Sequence, residues 1–435
     1  MAVSAQSLAS GLAEIVGAGH VLDGAAAAAL GAVDGVAPRW VAKPGSVDEV
    51  SHVLALASAE GLAVAPRGSG TSTALGNAPR RLDLVLDLTG LTAVLEYVPE
   101  DMVATVQCGL GLGELNRKLG EKGQRLALDP LAGDERTVGG VLATNASGPL
   151  RFRYGTGRDL LLGIRFVQAD GIITWGGSKV VKSVSGYDVP KLMVGSLGSL
   201  GVMVDATLRL HPLPAATGTM VAVCGSSAAM QDLLASLLDS SLEPDRIAAL
   251  NHWRSGGGQP SPALLVSFGS VQEAVRSQGQ ALIDLANGRG TDAEWAPDTV
   301  WDGLGRQLRD PGQVSFTLAC EIRRVGQWFA EIERLAASLR TDVSITGEAG
   351  NGVLHCSLPA AAVERPVIRD LVLPLRRGLE AEGGSLVIER MPPALKRNLD
   401  VWGPVAADAL ALMRRIKQEF DPRGILNPGR FVGGL

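Results

Sequence analysis

Cysteine occurs only four times in this chain of 435 residues, histidine five times and tyrosine three times, and aromatic residues make up 4%. The cysteines, Cys108, Cys224, Cys320 and Cys356, stand far apart with no C-x-x-C pair. That excludes a disulfide framework and a self-contained iron–sulfur cluster, and makes a reducing cytoplasm the expected compartment. An excess of positive charge is also missing: the net charge is −5 and the isoelectric point is near 5.7. A protein that follows nucleic-acid phosphates would carry a basic face, so no nucleic acid is expected among the partners. Nor is there a long apolar run. Mean hydropathy is +0.19, yet the alanine-rich stretch from Gly24 to Val33 is too short to span a bilayer and is flanked by Asp23 and Asp34. The opening MAVSAQSLAS lacks the basic and apolar regions of a signal peptide, so no export is expected.

What the chain has in abundance is glycine, 55 residues of it, within a 46% hydrophobic composition. With much alanine and valine, this points to alternating helices and strands joined by tight turns. The length exceeds one ordinary core, so two domains are expected. Ser46-Val47-Asp48-Glu49 forms a capping box, apolar residues recur at helical spacing after it, and Gly61 closes the helix. Leu62 to Ala65 is a short buried strand stopped by Pro66. LVLDL at 84–88 and MVATVQCG at 102–109 are further strands, followed by a helix from Leu112 to Leu119. Residues 160–175 form a hairpin turning at Ala169-Asp170-Gly171, and 201–210 alternates like a half-buried strand before the His211-Pro212-Leu213-Pro214 break. Beyond it, the helix Gly326 to Arg340 and the strand Gly352 to Leu358 suggest a more antiparallel α+β half.

The strand before Pro66 delivers PRGSGTSTALG, 66–76. Its glycines allow close backbone approach, its N–H groups and the hydroxyls of Ser69, Thr71 and Ser72 can donate, and Arg67 adds charge: the makings of a phosphate site. It matches neither a Walker loop nor G-x-G-x-x-G, so a plain surface turn stays open from these residues alone. A second small-residue block, TVGGVLATNASG at 137–148, precedes RFRYGTGRD at 151–159. A third runs from KVVKSVSGYDVPKL into GSLGSLGV at 195–202.

The ordered set PRGSGTS, LDLTGL, LALDP, TVGGVLATNASG, RYGTGRD, KSVSGYDVPKL and GSLGSLGV, with FDPRGILNPGRF near the C-terminus, resembles the FAD-linked oxidases of the p-cresol methylhydroxylase and vanillyl-alcohol oxidase fold. Within that family the likeness is strongest to the FAD-binding subunits of bacterial glycolate oxidase, with the D-lactate and D-2-hydroxyglutarate dehydrogenases next. The resemblance implies an α+β protein: an FAD-binding domain over 1–214, a cap over 215–400, and a C-terminal segment, 401–435, returning to the FAD domain. It implies that Arg67, Gly68, Ser69, Gly70, Thr71 and Ser72 form the pyrophosphate loop. Thr137, Val138, Gly140, Thr144, Asn145 and Ser147 would run along the flavin and ribityl chain, with Gly201 and Val202 near the adenine end. Pro130, Tyr154, Gly155 and Asn427 fall in other motifs of the cofactor domain. Thr71 stands where covalently flavinylated relatives often have a histidine, so the FAD is expected to be noncovalent.

The family's catalytic branch holds a divalent metal with two histidines and a later glutamate. In GEAGNGVLH, 347–355, Glu348 replaces the first histidine and His355 keeps the second, while GGSLVIERMP, 383–392, keeps Glu389 but has Arg390 where the next histidine falls. Glu348, His355 and Glu389 retain the makings of a hard-cation site, but a degenerate, metal-free site is the expectation. A substrate carboxylate calls for arginine. Candidates are Arg323 and Arg324 in ACEIRRVGQW, with a solvated helix start as the alternative, and Arg390, with a surface salt bridge as the alternative. His355 is a candidate base or a satisfied core histidine, and Lys182 and Tyr187 are assigned packing around the flavin pocket. The resemblance further implies a 2-hydroxy acid substrate, a second flavoprotein subunit and an iron–sulfur subunit as partners, and peripheral membrane association through them. A self-sufficient 2-hydroxy acid dehydrogenase and a non-catalytic FAD-binding scaffold are the alternatives.

Overall fold

The computed structural model describes residues 5–131, 133–179, 186–254, 260–309, 313–359, 367–396 and 399–435. Lys182 lies outside the described residues. Three larger sheets organise them. The first runs in the order Val21–Asp23, Trp40–Ala42, Leu84–Asp87, Val64–Arg67, with parallel pairing at the last two junctions. The helix Val47–Glu60 feeds its edge strand: Ser46 accepts from the Glu49 N–H at 3.2 Å, and Gly61 closes the helix at φ 65°. That strand extends through Pro66 to Arg67 instead of stopping at the proline. It is an edge strand, where a missing N–H costs no ladder bond. Past it, the C-terminal segment docks: the N–H of Val64 donates to the Ile425 carbonyl at 2.8 Å, and that of Asn427 to the Val64 carbonyl at 2.8 Å.

The second sheet is antiparallel, in the order Val94–Val98, Val103–Gln107, Val202–Arg209, Leu161–Val167, Ile173–Gly177. The expected hairpin is present, with Val167 opposite Ile173. The strand Val94–Val98 was not anticipated: only its edge position fits a pattern with few buried residues. Val202–Arg209 is not half-buried. It lies at the centre of the sheet and gives Val202 and Val204 to the core shared with the first sheet, and Met203, Ala206 and Leu208 to the core beneath the helix Leu112–Gly120. Among the polar residues of this strand, Thr207 lies 2.9 Å from Thr105 and Asp205 Oδ2 meets Arg165 at 3.3 Å, while Asp205 Oδ1 is buried without a partner.

From Ala216 onward the chain builds an eight-stranded antiparallel sheet in the order Asp292–Ala296, Ala216–Val223, Ser261–Ser270, Arg246–Trp253, Ser344–Glu348, Val353–Leu358, Val314–Ala319, Ser385–Arg390. The helices Ser227–Leu238, Val325–Ser338 and Leu373–Ala381 bury their apolar stripes in its main core. No helix among the described residues is long and apolar enough to cross a membrane.

Candidate active site

Two adjoining clefts contain most of the residues singled out above. The first is lined by Arg67 to Thr73, Thr137, Gly140, Thr144, Gly201, Val202 and Asn427. Two glycines make this shape possible. A Cβ on Gly68 would fall 2.1 Å from Thr137 Oγ1, and Gly70 sits at φ +81° with the Arg67 guanidinium 2.7 Å from where a Cβ would be. The N–H groups of Gly68 through Ser72 donate to no backbone carbonyl among the described residues. Arg67 Nε and Arg430 Nε are buried without a partner at the same cleft. Unspent donors around a cradle too close for side chains suit an anionic, phosphate-bearing cofactor.

The second cleft shares Thr71, Ser72 and Thr144 with the first and adds Pro130, Asn145, Ser147, Arg136, Arg151, Thr317, Glu348, His355, Glu389 and Arg390. Its chemistry comes from four neighbouring strands, those that carry Glu348, His355, Thr317 and Glu389. Thr317 pairs with His355 in register, and the Phe316–Ile388 and Ser315–Arg390 pairs leave Glu389 as an extra residue, a bulge. Simple alternation would send Glu389 and Arg390 to opposite faces; the bulge brings both to the cleft.

A hydrogen-bonded chain crosses this floor. Thr317 Oγ1 donates to Glu389 Oε1 at 2.6 Å and lies 2.8 Å from His355 Nδ1, while His355 Nε2 lies 3.1 Å from Glu348 Oε1. A hydroxyl has one proton, and here Glu389 takes it. With both carboxylates ionised, the pattern is completed by His355 Nδ1–H donating to Thr317 and Nε2–H donating to Glu348, the arrangement of an imidazolium. Burial pushes the His355 pKa down, but Glu348 and Glu389 outweigh it and the net shift is upward. Glu348, 1% exposed, also receives Arg151 Nη1 at 3.3 Å, and Arg151 reaches Ser147 at 3.2 Å.

The metal reading does not fit this geometry. The two carboxylates bond opposite edges of the imidazole, one through Thr317, instead of converging with it on one point. Among the described residues no group of three or more His, Cys, Asp or Glu is placed to hold a metal ion.

Other candidates stand elsewhere. Arg323 and Arg324 are not at either cleft: Arg324 pairs with Glu382 at 2.6 Å and with Gln327 at 3.0 Å at the start of the helix Val325–Ser338, the solvated alternative. Val138 is buried beneath the first cleft without lining it. Tyr154 accepts from Arg125 at 3.0 Å and packs edge-on against His211, and Gly155 turns against Asp159, so neither lines a cleft. Tyr187 is 95% exposed and does not pack on the pocket. Sequence reasoning passed over Arg136, Arg151, Thr317 and Arg430. Arg136 and Arg151 flank the second glycine-rich block, and Arg430 lies inside the quoted C-terminal motif, so position beside a motif was the available signal.

Residues 38–177 match the family described as "FAD binding domain", and 404–431 match "FAD linked oxidases, C-terminal domain". A D-lactate dehydrogenase of Archaeoglobus fulgidus is 30% identical over 92% of this chain and 94% of its own length. A D-2-hydroxyglutarate dehydrogenase of Xanthomonas citri pv. viticola is 29% identical over 90% of this chain and 89% of its own. The glycolate oxidase subunit GlcD of Bacillus subtilis is 27% identical over 90% and 88%. The crystal structure of p-cresol methylhydroxylase with substrate bound superposes with a TM-score of 0.75 at 15% identity, covering 98% of this chain and 96% of that one, and shows the shared fold. The chain belongs to the FAD-linked oxidases of the p-cresol methylhydroxylase and vanillyl-alcohol oxidase fold. It is an FAD-dependent oxidoreductase.

Proposed function

We propose that this oxidoreductase takes a 2-hydroxy acid to the 2-oxo acid in the second cleft, with FAD held noncovalently in the first. The observation that carries the proposal is the junction of the two: Thr71, Ser72 and Thr144 line both clefts, so a small acid beside His355 adjoins the cofactor loop. The names of the relatives from Archaeoglobus, Xanthomonas and Bacillus support the substrate class.

FAD, when bound, supplies a two-electron acceptor. The chain's residues hold and deprotonate the acid. Arg390, which forms no ion pair among the described residues, offers its planar fork to the carboxylate, and Arg151 and Arg136 add positive charge to the cleft. As the α-carbon loses hydrogen with the bonding pair, the hydroxyl proton must leave as well. Held positive, His355 stabilises negative charge growing on that oxygen, and Glu389 is the proton acceptor. No step calls for a metal.

We further propose that the chain works as a subunit and passes electrons to a second flavoprotein and an iron–sulfur protein, which would carry any association with the membrane surface. Its four dispersed cysteines and the likeness to a glycolate oxidase subunit support this. The division into 1–214, 215–400 and 401–435 is proposed with it. The near full-length match to a D-lactate dehydrogenase favours a second reading, a self-sufficient enzyme. Purification from the native host, followed by turnover assays with and without the co-purifying proteins, separates them. Subunit function predicts turnover with a physiological quinone only in the complex; equal turnover by the lone chain would favour the second reading.

A further inference from the structure

Thr73, Ala74 and Leu75 follow directly on the anion cradle, and each of their carbonyls accepts from a buried cation. Arg430 Nη2 donates to the carbonyls of Thr73 at 2.7 Å and Leu75 at 2.6 Å. Lys396 Nζ donates to that of Ala74 at 2.8 Å. Both cations are nearly inaccessible, Arg430 at 4% and Lys396 at 3% exposure. They come from opposite ends of the topology. Arg430 belongs to the C-terminal segment docked on the first sheet, whereas Lys396 ends the turn Pro393–Lys396, just after the strand that carries Glu389 and Arg390.

The charges in this cluster do not cancel. Asp34 takes Lys396 at 2.6 Å and, among the described residues, is the carboxylate whose field favours the charged form of both cations, while Arg390 adds a further positive field at Lys396. Two cations against one carboxylate leave one positive charge beneath the loop. A buried net charge is costly unless something compensates it. The open side of the same loop presents the unspent N–H groups of Gly68 through Ser72.

We propose that Lys396 and Arg430 are positioning residues for the cofactor's diphosphate: they fix the glycine loop by its carbonyls, their excess positive charge is balanced by the bound phosphates, and Lys396 ties that loop to the substrate strand. The proposal rests on the reading of the loop as the anion cradle of FAD. It explains why a lysine 322 residues away in sequence ends on the carbonyl of Ala74. It also accounts for a cradle that uses no lysine of its own: the positive charge stands behind the backbone, leaving the front free for close approach.

The test compares affinities of the apoprotein for FAD and for riboflavin, which shares the isoalloxazine ring and ribityl chain but has no phosphate, by flavin fluorescence quenching. The wild-type chain is expected to prefer FAD strongly. Lys396→Met should narrow that preference on the order of tenfold or more, the effect of losing one charge-assisted interaction, with riboflavin affinity unchanged. Lys396→Arg should restore it. A second pair guards against failure to fold: Arg430→Gln removes charge and should narrow the ratio, whereas Arg430→Lys keeps it and should not. Equal loss for both ligands, or an unchanged ratio, would overturn the clamp as a purely structural contact. A wild-type chain with no preference for FAD over riboflavin would instead overturn the cradle reading beneath it.

Discussion

Glu348 Oε1 lies 3.1 Å from His355 Nε2, and the same carboxylate meets Arg151 at 3.3 Å while being 1% exposed. This pairing stands where relatives of the family are expected to hold a metal, and it favours the protonated form of His355. A protonated, half-buried imidazole is a different tool from a Lewis acid: its charge stabilises an oxyanion, but it cannot exchange or be chelated.

The first prediction is that His355 stays protonated above the ordinary histidine pKa of about 6.5. Its folded-state pKa is raised, so its contribution to stability is full below the unfolded value and is lost as pH rises through the folded value. Nitrogen NMR of histidine-labelled protein should show both ring nitrogens protonated at pH 7. Glu348→Gln should lower that pKa, and Glu348→Ala, which strands a buried partner, should cost about 3–5 kcal/mol in unfolding free energy. A neutral ring at pH 7 in the wild-type chain would contradict the hydrogen-bond assignment.

The second prediction concerns the cradle. Gly68→Val would drive a side chain into Thr137, and Gly70→Val would force a β-branched residue to φ +81° against Arg67. Both variants should lose most of their flavin, measured as the flavin-to-protein ratio, and retain a cooperative unfolding transition. Normal flavin content would make these glycines ordinary turn residues.

The third prediction is that acid precipitation releases the FAD. Thr71 occupies the loop position where a linking histidine is expected, and none of the five histidines lines the first cleft. Yellow colour should appear in the supernatant. Colour held in the pellet would mean a covalent link through some other residue.

Much of the fold was legible because its signals are local. The capped helix at Ser46, the hairpin at Ala169-Asp170-Gly171 and the glycine-rich loop each rest on residues close in sequence. The site was legible only where a motif carried it. Arg324 follows a strand of the right sheet and looked available for a carboxylate, yet Glu382 from the far end of a helix claims it. Glu389 and Arg390 reach the same cleft because of a one-residue bulge, which no alternation pattern foretells. The Asp34–Lys396 pair joins positions 362 residues apart, and pairing at that separation leaves no periodic trace.

The fourth prediction separates the arginines. Arg390→Met should raise the KM or Kd for a 2-hydroxy acid on the order of 10- to 100-fold, as expected for a lost bidentate carboxylate contact, with a smaller effect on the rate of flavin reduction at saturation. Arg324→Met should leave both nearly unchanged, since it breaks a half-exposed pair with Glu382. The reverse pattern would return Arg324 to the substrate site.

The most direct measurement is anaerobic mixing of the FAD-loaded chain, without partners or acceptor, with glycolate, D-lactate or D-2-hydroxyglutarate while flavin absorbance is followed. The account predicts that at least one of these acids bleaches the flavin in a single turnover, and that His355→Gln slows the bleaching without loss of bound FAD. Flavin that dithionite reduces but none of these acids bleaches would contradict the assignment of 2-hydroxy acid oxidation to this chain.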